Sequence, residues 1–232
     1  TPQVSKFRDC RFTLDDDQRR SIYERRVAST GRTRATNVEA FFRATFEAWT
    51  DRRTSTGEER VFVGYSPIVV VDAPAILADF PGAHLLHVVR NPWSAYADTK
   101  KRPVPLSLAD YMLRWSFVQS QADLFQRRHP ERVHILRFEE IVTDPVSVLG
   151  PVLETLGVEA EPSLAGMSFD GEPLEEGRPW GTIARATPEA NRASANQLSS
   201  GEREEVALRA GPWLERFEYR SDAPGSTTAP PW

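Results

Sequence analysis

The hydrophobic pattern is sharpest at Leu85, Leu86, Val88 and Val89, a short apolar run bounded upstream by Pro81-Gly82 and halted by Pro92. So short a run between breakers predicts a strand near residues 84–90, buried on both faces, rather than a helix. Pro92 has no N–H for a sheet ladder but suits a first helical turn, so a helix is predicted over Trp93 to Thr99. Further strands are predicted at 60–65 and 133–138. Helical spacing marks Asp15 to Ser29, a core stripe of Val38, Phe41, Phe42, Phe46 and Trp49 behind a Thr36–Glu39 capping box, and a segment from Pro67 to Phe80 containing Pro74. It also marks a long helix from Leu108 to about Arg128, capped by Ser107, with Leu108, Tyr111, Met112, Trp115, Val118, Ala122 and Phe125 inward. Val146 to Leu156, ended by Gly157, and Ser199 to Arg209 complete the helices. Strands alternating with helices predict an α/β fold, a three-layer sandwich with a mostly parallel sheet. Residues 1–220 read as one domain, residues 159–180 as a surface loop and residues 221–232 as a flexible tail.

Composition changes this picture little. The chain has 232 residues, 40% apolar and 27% charged, which suits a globular protein with one substantial core. A net charge of −4 argues against a nucleic-acid binder but leaves room for a local basic pocket. Cys10 is the only cysteine, so no intrachain disulfide and no Cys-rich zinc site can form, and a cytoplasmic setting is expected. No run of eighteen apolar residues and no signal-peptide core is present.

The candidate chemistry lies where the central strand ends. Arg90 and the N-terminus of the following helix fall at the same sheet edge, where open α/β sheets bind ligands. A guanidinium and free helical N–H groups both attract phosphate or carboxylate. The other reading is a strand-end arginine in a surface salt bridge.

Two blocks carry a family resemblance. The first is Ser66-Pro67 followed by the strand ending in Arg90, Asn91 and Pro92. The second is Arg137, Phe138, Glu139, Glu140 and Ile141, closed by Asp144-Pro145. In this order the chain resembles the PAPS-dependent sulfotransferases of the bacterial type. The resemblance implies a sulfotransferase fold of the P-loop NTPase-like kind and transfer of a sulfuryl group from PAPS to a hydroxyl or amine of a small-molecule or glycan acceptor. It gives Arg90 the 3′-phosphate of PAPS. Relatives place a serine eight positions after that arginine; here Asp98 stands there with Thr99 beside it, so either Thr99 takes the contact or the helix is registered differently. A late basic loop closes over the donor in the family, which points to Trp180 and Arg185. The candidate donor-binding residues are therefore Arg90, Asp98, Thr99, Trp180 and Arg185, with no metal required.

Two departures accompany the resemblance. Relatives often read Glu-Lys before Ser/Thr-Pro, whereas this chain has Gly64-Tyr65, which implies that their base is absent. No glycine-rich loop for the 5′-phosphosulfate is found, and Ser29 to Thr33, the nearest approach, follows a helix rather than a strand. The chain is accordingly expected to be the larger C-terminal part of a longer enzyme, or else a sulfotransferase-like binding module without turnover. A P-loop kinase-like enzyme is a third possibility. The histidines at 84, 87, 129 and 134 fall in or beside strands or at a helix end, which suits structural roles, and no catalytic base is assigned.

Overall fold

The computed structural model describes residues 3–4, 11–54, 59, 61–161, 164, 166, 168–173, 187–220 and 223–224. In chain order the elements begin with β1 (Gln3–Val4), β2 (Arg11–Phe12), α1 (Asp16–Thr30), α2 (Arg34–Glu47), α3 (Ala73–Asp79), β3 (Leu85–Val89), α4 (Pro92–Lys100), α5 (Leu108–Arg128) and β4 (Val133–Arg137). They continue with α6 (Phe138–Thr143), α7 (Pro145–Thr155), β5 (Ser168–Phe169), β6 (Glu172–Pro173), α8 (Pro188–Ala195), α9 (Ser200–Ala210) and α10 (Pro212–Arg216). The chain divides into two units. One comprises residues 1–67, 74–83 and 166–176; the other comprises residues 68–73, 84–165 and 177–232.

In the first unit α1 and α2 pack together. Asp15 caps α1 by accepting the Gln18 N–H, while Thr13 turns to Asp51, giving its backbone N–H at 2.9 Å and its hydroxyl at 2.8 Å. The capping box of α2 lies three residues earlier than expected, with Thr33 as cap and Thr36 reaching back to it. The residues it buries are Ala40 and Ala44, and Phe41 of the expected core stripe is exposed. Small side chains let α1 approach on that face. Phe42 stacks on Phe62 with centroids 3.8 Å apart. The strand expected at 60–65 is not formed over residues 61–65, and Val63 and Tyr65 are 86% and 91% exposed. A strand persists only where a second strand takes its N–H and C=O groups, and no described strand does so here. Within the expected loop, β5 and β6 form a hairpin over Asp170 and Gly171, both at positive φ (50° and 81°) as a type I′ turn demands. The Asp170 carboxylate holds this turn against Arg53 N–H at 2.7 Å and Thr54 N–H at 3.1 Å.

The second unit contains the parallel sheet and carries the α/β character. β3 and β4 pair in register from Leu85 opposite Val133 to Val89 opposite Arg137, and α5 connects them in a crossover. Leu85, His87 and Val89 are buried, whereas Leu86 and Val88 are exposed, so one face of β3 is covered rather than two. The core joins Val89, Trp93, Tyr96, Met112, Trp115, Leu198, Val206, Leu214, Phe217 and Tyr219, fastening α4, α5, α9 and α10 around the carboxyl end of β3. α5 keeps its expected cap, with the Asp110 N–H donating to Ser107. The segment from Pro67 is a 3₁₀ turn at Val69–Asp72 leading into α3, and the expected end of α7 is kept, with Gly157 at φ +65°. Phe138 begins α6 instead of ending β4. No helix among the described residues is long and apolar enough to cross a membrane.

His87 sits on the covered face of the sheet, its Nε2 donating to Gln119 Oε1 at 2.7 Å, and Gln119 in turn donates to the Trp115 carbonyl at 3.1 Å. Burial holds the His87 pKa below the ordinary 6.5, so the folded protein carries it neutral. The unfolded chain takes up a proton below that value and the folded one resists. Its contribution to stability is therefore complete above pH 6.5 and declines as the pH falls below it. Urea titrations at stepped pH are expected to show this decline, and His87→Gln, which keeps a donor toward Gln119, is expected to make it shallower by up to about 1.4 kcal/mol per pH unit.

Candidate active site

The site is built at the carboxyl end of β3. Asn91 caps α4, its side chain accepting the N–H groups of Trp93 at 3.1 Å and Ser94 at 3.3 Å, and Pro92 fills the first helical position. Pro92, Trp93 and Ser94 are buried. The Trp93 indole donates to the Arg203 carbonyl at 3.0 Å and the Ser94 hydroxyl to the Asn191 carbonyl at 2.7 Å, so α4 is pinned to α9 and α8.

Arg90 is held from three sides. Its Nε donates to Asn191 Oδ1 at 2.6 Å, and its guanidinium carbon lies 5.1 Å from the Phe138 ring centroid. A terminal nitrogen, NH2, lies 2.7 Å from Asp98 Oδ2, with the two side chains 21% and 14% exposed. That contact is an ion pair without hydrogen-bond alignment: among the described residues, the buried NH2 has no aligned acceptor, and Asp98 Oδ1 accepts no hydrogen bond. Lys101 Nζ stands 3.6 Å from Asp98 Oδ1. Ser94 and Asp98, four residues apart, share one face of α4, and Lys101, three residues beyond Asp98, is its C-cap.

Behind Arg90 stands Glu139, in the first turn of α6. Its Oε1 accepts the Asn91 N–H at 3.0 Å and the Asn191 Nδ2 at 2.6 Å. Its Oε2 accepts the Tyr219 hydroxyl at 2.7 Å, and that hydroxyl is also 3.2 Å from the Val89 carbonyl. Burial and the neighbouring carboxylate push the Tyr219 pKa up, so it remains a donor. The Asn191 amide thus joins the Glu139 carboxylate to the Arg90 guanidinium, giving N–H to one and C=O to the other. The guanidinium of Arg137 lies over the Tyr219 ring at 4.9 Å and pairs with Glu140 at 3.1 Å.

Among the sequence-derived candidates, Arg90 and Asp98 come together. Thr99 is buried with its hydroxyl donating back to the Ala95 carbonyl at 3.0 Å and bonded to Tyr111, whose pKa burial pushes up to about 12. Trp180 and Arg185 lie outside the described residues. Lys100 pairs with Glu202, whereas Lys101 reaches the Arg90 pair. His84 Nδ1 and His134 Nε2 are 3.0 Å apart and bonded to one another. The turn from Ser29 to Thr33 joins two helices, and its Gly31 and Thr33 N–H groups bond to the Val27 carbonyl and the Thr36 hydroxyl.

Asn191 and Tyr219 are absent from the sequence-derived set. A signal for α8 exists in Thr187-Pro188-Glu189, a capping residue, a first-turn proline and an acid. Nothing local marks Tyr219, whose partner Glu139 is 80 residues away.

The profile of the sulfotransferase family matches residues 3–162, which takes in Arg90, Asp98 and Glu139 and stops short of Asn191 and Tyr219. No curated protein matches the sequence. With more than half of its length matched, including the strand that ends at Arg90 and the block that supplies Glu139, the chain belongs to the sulfotransferase family.

Proposed function

We propose that this protein transfers a sulfuryl group from PAPS to a hydroxyl or amine of a small-molecule or glycan acceptor, with Arg90 as the anchor for the 3′-phosphate of the donor. The observation that supports this most is the Arg90 NH2 group, buried at the carboxyl end of β3 with a charge beside it but no aligned acceptor among the described residues. A phosphate oxygen fits the chemistry of that donor, since a charge-assisted hydrogen bond is among the stronger polar contacts available. Arg90 enters the site already oriented, because Asn191, itself held by Glu139, fixes its Nε. When bound, PAPS supplies an activated sulfuryl group on its phosphosulfate. The protein's described contribution is to bind and orient the other end of the nucleotide. The 3′-phosphate exchanges for the Asp98 carboxylate at Arg90, and Lys101, 3.6 Å from Asp98 Oδ1, is placed to receive the displaced charge. The single cysteine suits a cytoplasmic enzyme.

One observation favours a second reading, a sulfotransferase-like binding module without turnover: Arg90 already has an anionic partner in Asp98. A turnover assay separates the two. The protein is incubated with PAPS and panels of sugars, phenols and amines, and PAP release is followed by chromatography. Acceptor-dependent PAP release that needs no added magnesium is the expected result. Acceptor-independent silence by a folded sample favours the binding module, and magnesium-dependent ADP formation from ATP favours a kinase-like activity.

A further inference from the structure

We propose that Asp98 is a specificity-determining residue that levels the preference of the Arg90 site between nucleotides bearing a 3′-phosphate and nucleotides bearing a free 3′-hydroxyl. This rests on the reading of Arg90 as the nucleotide anchor. Among the described residues, the Arg90–Asp98 pair leaves one donor and one acceptor unfilled in the same buried place, NH2 of the arginine and Oδ1 of the aspartate. A hydroxyl is at once a donor and an acceptor and can fill both, whereas an ionised phosphate only accepts. With NH2 and Oδ2 2.7 Å apart, the arginine's charge is already compensated. A phosphate must then displace the carboxylate or lie against a like charge, which weakens binding. The same division of labour operates in dinucleotide sites, where a carboxylate takes a ribose hydroxyl and an arginine takes a ribose phosphate. Here both side chains meet at one point, so neither ligand is excluded. Lys101, 3.6 Å from Oδ1, offsets part of the carboxylate's charge and keeps the phosphate-bound arrangement accessible.

The test is calorimetric titration of the protein with adenosine 3′,5′-bisphosphate and with adenosine 5′-phosphate, which differ only in the 3′ group, for the wild type and the variants Asp98→Ser and Asp98→Asn. Asparagine keeps the shape of the side chain, so a folding defect in the serine variant does not decide the outcome. In the wild type the two affinities are expected to lie within about tenfold of one another. Both variants are expected to widen the advantage of the bisphosphate by about tenfold or more, through tighter bisphosphate binding. A wild type that already prefers the bisphosphate strongly, with a ratio that neither folded variant moves, would overturn the proposal. If the ratio moves with Asp98 while Arg90→Ala binds both nucleotides as the wild type does, the selectivity role stands and the anchor role of Arg90 falls. If no form binds either nucleotide, both fall.

Discussion

Replacing Arg90 by alanine is expected to weaken PAP binding by about 100-fold or more, a loss of roughly 3 kcal/mol measured by calorimetry. Three effects add in the same direction. The substitution removes the guanidinium that would meet the phosphate. It leaves Asp98, 14% exposed, without the cation 2.7 Å away, so a carboxylate faces the incoming anion with, among the described residues, only Lys101 at 3.6 Å to offset it. It also leaves Asn191 Oδ1 without the N–H it accepts at 2.6 Å. Arg90→Lys is expected to recover little, because Nε and NH2 of one planar group serve Asn191 and Asp98 in different directions and a single ammonium cannot reproduce that fork. PAP affinity in the alanine variant within about threefold of the wild type would show that the anchor lies elsewhere.

The second large effect concerns stability. Glu139→Ala is expected to cost about 3 kcal/mol, read as a lower urea midpoint with an unchanged slope. Three donors converge on this carboxylate: the Asn91 backbone N–H, the Asn191 amide and the Tyr219 hydroxyl. Asn191 and Tyr219 are among the buried residues, and the Asn91 N–H belongs to the backbone and cannot turn away. An unsatisfied buried donor costs about 1–3 kcal/mol, and the Tyr219 hydroxyl retains the Val89 carbonyl at 3.2 Å as a partial refuge. Glu139→Gln is expected to lose less, since its amide oxygen still accepts, though its NH2 confronts at least one of the donors. Destabilisation by the alanine variant of under about 0.5 kcal/mol, the range of an ordinary surface substitution, would mean that the three contacts do not act as one buried network.

The strand, cap and helix that place Arg90 are legible in the sequence because their signals are local. Pro81-Gly82 and Pro92 punctuate the apolar run, and Asn91 and Pro92 specify a helix start by their own chemistry. The long periodicity of α5 is equally legible, since twenty-one residues give the stripe time to declare itself. Shorter signals mislead. Thr33 and Thr36 are both capping residues, and only the hydrogen bonds reveal which one caps. Residues 61–65 have the composition of a strand, yet β structure depends on a partner that composition does not supply. Asp170-Gly171 is a type I′ turn signal sitting inside a stretch whose Gly, Pro and Glu content read as a loop.

At the site, Asp98 is visible in the sequence as a departure from the family pattern. That its carboxylate meets Arg90 depends on the crossing of α4 with the strand end, which no local pattern encodes. Glu139 stands in the sequence as part of the Arg137–Ile141 block, but its side-chain partners are not legible there, since they come from 52 and 80 residues further along the chain.

The measurement closest to the central claim follows the Arg90 Nε–H resonance by nitrogen-15 NMR, assigned by its loss in Arg90→Lys, as PAP is added. In the absence of ligand this proton is held by Asn191 Oδ1. If Arg90 anchors the 3′-phosphate, the resonance shifts in a saturable manner, with the same affinity that calorimetry gives, and the Asp98 carboxyl signal moves with it as the pair opens. PAP binding that leaves both signals in place would contradict the assignment of Arg90 to the donor.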